Sequence, residues 1–286
     1  MIVKNFIVPI DFSEESGKGL ELAILFSKHT YVNIQMVHVL RKLADHTSAS
    51  IDIDAEQAEN ALKKMVDKYT PLLGNNSNLR YITKKGKIYQ EIVNQAQSYK
   101  DSVITASTHG LSGFEEFFIG SNAYKIILAT DRPVITLRKG TCPDDIKKII
   151  LPIDTGEDTR QKVPFTTELA QLFEAEVHII AVNSNKDDKA INKLRAYSTQ
   201  VAGYMVGKVN YTTEELFGEN ISDLIVNYAK AVKADLISIM TEQSPGISLI
   251  LGNTAHQIIN KAEVPVLSIT PRELKITGGS FKTFGD

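Results

Sequence analysis

An internal repeat constrains the fold of this 286-residue chain more than any other feature. The segment FIVPIDFSEES at 6–16 recurs as IILPIDTGEDT at 149–159. Four further blocks recur in the same order, namely 35–40 with 178–183, 91–105 with 224–238, 120–127 with 252–259, and 133–139 with 265–271. Five matched blocks in one order indicate a tandem duplication of a single structural unit.

The duplication predicts two domains and a tail. We place the first domain at 1–140 and the second at 147–271, with the joint between them. The segment 272–286 has no counterpart after the first copy and is predicted to be a C-terminal tail. The second copy is the shorter one, mostly in the segment that follows its second strand.

Within each copy, apolar strand-like runs alternate with longer segments of helical periodicity, which favours an α/β fold. Continuous apolar runs such as LISIM at 236–240 are typical of parallel strands covered on both faces. We therefore predict two tandem doubly wound, Rossmann-like domains, each a five-stranded mainly parallel sheet flanked by helices. In the first copy the predicted strands are 6–10, 33–39, 79–83, 102–106 and 134–137, and the predicted helices are 14–28, 52–69, 89–99 and 122–129. Ser13 is predicted to cap the first helix.

Composition limits the classes of partner. The formal net charge of −2 gives no general attraction to nucleic acid or to anionic membranes, and no apolar run approaches the length of a membrane-spanning helix. The single cysteine, Cys142, excludes an internal disulfide framework and fits a reducing compartment. The acidic residues that follow the first apolar run do not suit a signal peptide. These features predict a cytoplasmic protein.

The segment ASTHGLSGFEEFFIGSNAYKII at 106–127 joins a predicted strand to a predicted helix. Its glycines could let the backbone approach a phosphate at the helix N-terminus, or they could be ordinary turn residues. Ser121 and Asn122 stand at the start of the helix, as polar contacts or as caps. His109 could contact a phosphate or could be a solvated loop residue.

This loop, together with VPIDFSEES at 8–16, MVHVL at 36–40 and RPVITL at 132–137, resembles a universal stress protein domain. The resemblance covers nearly the whole chain, with one match in each half, so the chain resembles a tandem universal stress protein. The sheet implied is the one also found in adenine nucleotide alpha hydrolases. The nucleotide-binding branch of that family carries Gly-x2-Gly-x9-Gly-Ser/Thr in this loop. Gly110, Gly120 and Ser121 fit that pattern, and Ser107 takes the place of its first glycine.

The resemblance implies an ATP or AMP pocket in the first domain, with Mg²⁺ if the ligand is ATP. It places Asp11 and Val39 toward the adenine and ribose, and Pro9 at the end of the first strand. The implied nucleotide-binding residues are Pro9, Asp11, Val39, Ser107, His109, Gly110, Gly120, Ser121 and Asn122. The six histidines show no metal-ligand spacing, so we predict no metal site built by the protein and no catalytic residue.

The second copy keeps Asp154 and Val182 at the positions that match Asp11 and Val39, but its loop departs from the pattern. That loop reads TEQSPGISLILGNTA at 241–255 and keeps only two glycines, Gly246 and Gly252. The carboxylate of Glu242 opposes an anion there. We therefore predict a degenerate phosphate loop in the second domain.

The function predicted is a stress-response module that binds an adenine nucleotide and regulates an unknown protein partner. Neither a Walker-type loop nor a nucleophile elbow is present, so the sequence points to slow ATP hydrolysis at most. Two alternatives remain open, a nucleotide-free interaction scaffold and a small-molecule sensor.

The resemblance also implies that the last strands, 134–137 and 266–269, pair the two domains as an intramolecular pseudo-dimer. A homodimer of whole chains stays open.

Overall fold

In the computed structural model, residues Ile2–Cys142 and Pro143–Asp286 form two compact units. The structure describes residues 3–40, 48–108, 120–138, 142–184, 187–241 and 252–271. Each unit holds a five-stranded sheet with helices between successive strands, and the two units are described in turn below.

Within its described residues, the first domain contains five strands and four helices in regular alternation. These are β1 Asn5–Pro9, α1 Glu14–Ser27, β2 Asn33–Leu40, α2 Ser48–Tyr69, β3 Asn78–Lys85, α3 Ile88–Gln97, β4 Ser102–Ser107, α4 Ser121–Ala129 and β5 Val134–Leu137, with a 3-10 turn at Thr70–Leu72. The strand order is β3-β2-β1-β4-β5, and all four pairings are parallel.

The second domain repeats this arrangement. Its elements are β6 Lys148–Ile153, α5 Val163–Phe173, β7 Glu176–Asn183, α6 Asp188–Met205, β8 Tyr211–Phe217, α7 Ile221–Ala231, β9 Leu236–Met240, α8 Asn253–Lys261 and β10 Val266–Ile269, with a 3-10 turn at Glu157–Arg160. The order is β8-β7-β6-β9-β10, again with every pairing parallel. The predicted α/β fold with two doubly wound parallel sheets is confirmed.

Helix α1 shows why the sequence folds locally as it does. The side chain of Ser13 accepts a hydrogen bond from the Ser16 N–H at 3.1 Å, which satisfies one of the donors that every helix start leaves free. Gly19 lets the helix approach β4, because a Cβ atom at that position would lie 2.8 Å from the Thr105 carbonyl oxygen. The predicted cap is thus confirmed, and the glycine explains how α1 packs closely on the sheet.

The order of the strands fixes where a ligand site can lie. From β1 the chain proceeds outward to β2 and β3 on one side, and then returns to place β4 and β5 on the other side. Such a reversal opens a crevice at the carboxyl ends of the two central strands, here β1 and β4. The corresponding crevice of the second domain lies at the ends of β6 and β9.

Within the described parts of the chain, no helix has both the length and the apolar character needed to cross a membrane.

Candidate functional site

The glycine-rich loop of the first domain starts at Thr108 and ends at Gly120, and a backbone hydrogen bond joins these two residues. Thr108 continues from β4, is 2% exposed, and donates its N–H to the Leu137 carbonyl of β5 at 3.1 Å. Gly120 donates its N–H to the Thr108 carbonyl at 2.6 Å. A Cβ atom on Gly120 would lie 2.8 Å from that same oxygen, so this closure requires glycine.

Helix α4 begins immediately after that closure. Its N-cap residue is Gly120, which has no side chain to accept a hydrogen bond from the helix start. Ser121 and Asn122 are the first two helical residues, so the interpretation of either one as the cap is wrong. The reason is that the glycine, with φ −58° and ψ 142°, already takes the extended conformation that a cap position requires. The N-cap residue therefore does not occupy the first N–H groups of α4, and such groups can bind an anion.

Ser107 is the last residue of β4 and lies beside Leu137 in the parallel register. It is half-buried, and the chain turns toward the loop directly after it. The predicted contacts His109 and Gly110 lie outside the described residues, as does the rest of 109–119.

Pro9 and Asp11 lie at the end of β1. Pro9 is the last residue of the strand and is in register with Val37 of β2. One carboxylate oxygen of Asp11 accepts hydrogen bonds from the backbone N–H of Ser13 at 3.0 Å and from the Ser13 hydroxyl at 2.5 Å. Asp11 thus fixes the residue that caps α1 and does not itself cap the helix. Its carboxylate is half-buried at the carboxyl edge of the sheet.

Val39 is the penultimate residue of β2 and is only 7% exposed. It lies in register with Lys84 of β3. Since its side chain is largely buried, its backbone is the part that a ligand at this edge could contact.

Two residues that the sequence did not single out form a ring pair at the same edge. Phe12, directly after Asp11, has a φ of 65° and is 40% exposed. Its ring centroid lies 4.5 Å from that of His38 near the end of β2, with the ring planes inclined by 35°. The Nδ1 atom of His38 lies 2.8 Å from the Ile10 carbonyl oxygen. A carbonyl oxygen only accepts, so this nitrogen carries the proton and the imidazole is held in place.

The crevice of the second domain has a different interior. The backbone N–H of Gly156 donates to Asp154 at 2.7 Å, and the Asp154 N–H donates to the Thr159 hydroxyl at 3.2 Å. Lys162, only 2% exposed, donates from Nζ to the Thr159 carbonyl at 2.6 Å and lies 3.3 Å from the Thr159 hydroxyl oxygen. Burial lowers the pKa of Lys162 to about 8, and the Asp154 carboxylate acts in the opposite direction. The burial of Lys162 could not be predicted from the sequence, because lysine is seldom fully buried.

The ends of the second domain's loop nevertheless resemble those of the first. Thr241 is 2% exposed and donates its N–H to the Ile269 carbonyl at 2.9 Å, as Thr108 does to Leu137. Gly252 is the N-cap of α8, with φ −53° and ψ 145° and no side-chain cap. The residues on which the degenerate loop was predicted, Glu242 and Gly246, lie outside the described residues.

These features define a class of protein, one with two doubly wound α/β domains that each present a loop-framed crevice at the carboxyl edge of the sheet. The profile of the universal stress protein family matches residues 3–138 and again residues 145–269. The chain belongs to the universal stress protein family and carries two copies of its domain.

Individual relatives agree with this assignment. The universal stress protein Slr1230 of Synechocystis sp. is 22% identical over an alignment of 292 residues, gaps included, which covers 93% of this chain and 99% of that protein. The universal stress protein MJ0531 of Methanocaldococcus jannaschii is 30% identical over 139 residues, covering 43% of this chain and 81% of that protein. Among solved structures, a universal stress protein from Archaeoglobus fulgidus matches with a TM-score of 0.74 and 21% identity, over 94% of this chain and 99% of that one.

Proposed function

We propose that the first domain binds an adenine nucleotide, ATP or AMP, and that the bound nucleotide makes the protein a regulatory module of the stress response. The observation that carries this proposal is the closure between Thr108 and Gly120, which joins the two ends of the loop directly in front of helix α4, whose N-cap residue is glycine. Family membership supplies the stress-response context.

The phosphates occupy the loop between β4 and α4. The first N–H groups of α4 point out of the helix start and carry its partial positive charge. Because the N-cap residue is glycine, no side chain of that residue competes with the ligand for these donors. Ser121 and Asn122 add polar side chains at the first two helical positions, and Ser107, His109 and Gly110 lie in or next to the loop. With ATP, Mg²⁺ bound to the phosphates would offset part of their charge.

The nucleoside lies over the ends of β1 and β2. Asp11 offers a half-buried carboxylate, which can accept hydrogen bonds from a ribose hydroxyl or an exocyclic amino group. Val39 offers backbone groups near the end of β2, and Pro9 closes the end of β1. The crevice at the strand reversal thus has an anion-binding side and a nucleoside-binding side.

Equilibrium dialysis of the nucleotide-stripped full-length chain with labelled ATP and AMP tests this function. Gly120→Val places side-chain atoms against the Thr108 carbonyl, since even a Cβ atom would lie 2.8 Å away. We expect this variant to bind at least about tenfold more weakly, as for the loss of one or two charge-assisted hydrogen bonds. Gly252→Val, at the matching position of the second domain, is the control and should leave ATP affinity unchanged.

Circular dichroism establishes that both variants fold. If the wild-type protein binds neither nucleotide at millimolar concentration, the proposal is wrong, and the same fold serves as a nucleotide-free interaction scaffold. If the two glycine variants weaken binding equally, the site is not confined to the first domain.

A further inference from the structure

We propose that Phe12 and His38 form a stacking platform for the base of the ligand, and that this platform distinguishes the first crevice from the second. The inference rests on the proposed nucleotide site and adds two residues to it. It also names the part of the ligand that they recognise, a flat aromatic base.

The position of the pair follows from the strand order. The phosphate loop follows β4, β1 is the next strand, and β2 is the one beyond it. Neighbouring strands lie about 4.8 Å apart, so a ligand with its phosphates at the β4 loop reaches the end of β2 after about 10 Å. Phe12 follows β1 by three residues, and His38 lies two residues before the end of β2. The pair therefore lies where the base of such a ligand would end.

The conformation of Phe12 supports a role beyond filling space. A positive φ, here 65°, is an outlier for a bulky side chain, and such outliers concentrate at ligand sites. The side chain is also 40% exposed, one of four large hydrophobic residues with that exposure among the described residues. A phenylalanine whose backbone is strained and whose ring stays in contact with solvent gains by covering that ring with a ligand.

His38 gives the platform rigidity. Its Nδ1–H bond to the Ile10 carbonyl, at 2.8 Å, holds the imidazole, and the Phe12 ring rests against it at 4.5 Å between centroids. Aromatic side chains held in this way are the usual surfaces on which nucleic acid bases stack. If the pair were only a packing contact within the loop, its loss would weaken the binding of every ligand group alike.

The second domain provides an internal comparison. Thr155 and Ala181 stand at the positions that match Phe12 and His38 in the repeat, so neither ring is present. The ends of its loop nevertheless carry matching residues, with Thr241 bonded to the last strand as Thr108 is and Gly252 as the N-cap of α8. The two crevices thus differ at the base end although the residues at the ends of their loops match.

The test compares two probes on the full-length, nucleotide-stripped protein, magnesium-ATP and magnesium-tripolyphosphate, the second of which has no base. Phe12→Leu removes the ring and keeps the bulk. We expect it to weaken ATP binding about tenfold, the order expected for one stacked base, and to change tripolyphosphate binding less than twofold. Phe12→Trp should keep wild-type ATP affinity. Tyr31→Leu is the matched control, because Tyr31 is a similarly exposed aromatic residue, at 42%, beside the opposite end of β2, and it should change neither affinity.

The outcomes separate this inference from the proposed function. Equal losses for ATP and tripolyphosphate would show that Phe12 only shapes the loop, and unchanged ATP affinity in Phe12→Leu would show that no base stacks there. Either result overturns the platform and leaves the nucleotide site standing. Failure of the wild-type chain to bind ATP would overturn both.

Discussion

Replacing the buried lysine of the second domain should change the pH dependence of stability in a definite direction. Lys162 is 2% exposed and is the N-cap residue of α5, two residues after the 3-10 turn Glu157–Arg160. Its ammonium donates to the carbonyl and hydroxyl oxygens of Thr159. Lys162→Met keeps the length of the side chain and removes both its charge and its hydrogen bonds.

The magnitude follows from the pKa. Burial lowers the pKa of Lys162 from 10.5 to about 8, and at about 1.4 kcal/mol per unit this corresponds to a cost of about 3 kcal/mol for the charged form. Between those two pH values the unfolded chain binds more protons than the folded one. The stability that this group contributes therefore rises with pH across that window and is constant below it.

The variant loses the hydrogen bonds to Thr159, at about 1 kcal/mol each, but it also loses the charge penalty. At pH 7 we therefore expect Lys162→Met to be about 1 kcal/mol more stable than the wild-type domain. Toward pH 10 the wild-type amine is neutral, and the variant should become about 2 kcal/mol less stable. The difference between the two proteins should thus reverse its sign.

Urea unfolding between pH 7 and pH 10 measures this difference. Methyl NMR signals of Ile237 in β9 report the unfolding of the second domain alone, which avoids treating a two-domain chain as one transition. Lys189→Met, at an exposed position of α6, is the control and should parallel the wild type. A difference between Lys162→Met and the wild type that stays constant across this range would refute the account of Lys162 as a buried cation.

Three further predictions concern the N-cap of α1 and one glycine in each of two helices, α1 and α6. Ser13→Ala should lower the free energy of unfolding of the first domain by about 1 kcal/mol, because α1 loses its N-cap, and the urea midpoint of a first-domain NMR signal measures this. Gly19→Ala should destabilise the domain by about 1–3 kcal/mol, because its Cβ would lie 2.8 Å from the Thr105 carbonyl oxygen. Gly203→Ala in α6 has nothing within 4 Å of the added Cβ, so it should instead stabilise its domain by up to about 1 kcal/mol. Equal effects of the two glycine substitutions would contradict this reading of Gly19.

The fold could be predicted because its signals are local and are repeated. The strand predicted at 33–39 is found at Asn33–Leu40, and the helix predicted at 122–129 is found at Ser121–Ala129. Apolar runs, helical periodicity and a cap residue such as Ser13 each depend on a short stretch of chain. The duplication then presents the same pattern twice, which strengthens each assignment.

The side-chain contacts inside each domain could not be predicted, because they join residues that are distant in the sequence. In the first domain Gln95 donates to Gln35 at 2.6 Å, which joins α3 to β2. At the matching positions of the second domain His178 and Tyr228 form a hydrogen bond of 2.9 Å. The repeat aligns these positions, but it does not show that both members of the pair have changed together.

The same limitation applies to Lys162 and Phe12. In the second domain a 3-10 turn, Glu157–Arg160, occupies the positions at which α1 begins in the first. Lys162 follows this turn and is buried against Thr159, whereas the sequence alone indicates a charged residue at the start of a helix. Phe12 reads as an ordinary apolar residue, and neither its φ of 65° nor its contact with His38 has a local sequence signal.

Calorimetric titration of the nucleotide-stripped chain with magnesium-ATP tests the central claim most directly, because it measures affinity and stoichiometry together. We predict saturable binding of one ATP per chain, at the first-domain crevice. Two sites of equal affinity would contradict the distinction between the two crevices. No heat of binding up to millimolar ATP, with no displacement of a fluorescent nucleotide, would contradict the claim that this protein binds an adenine nucleotide.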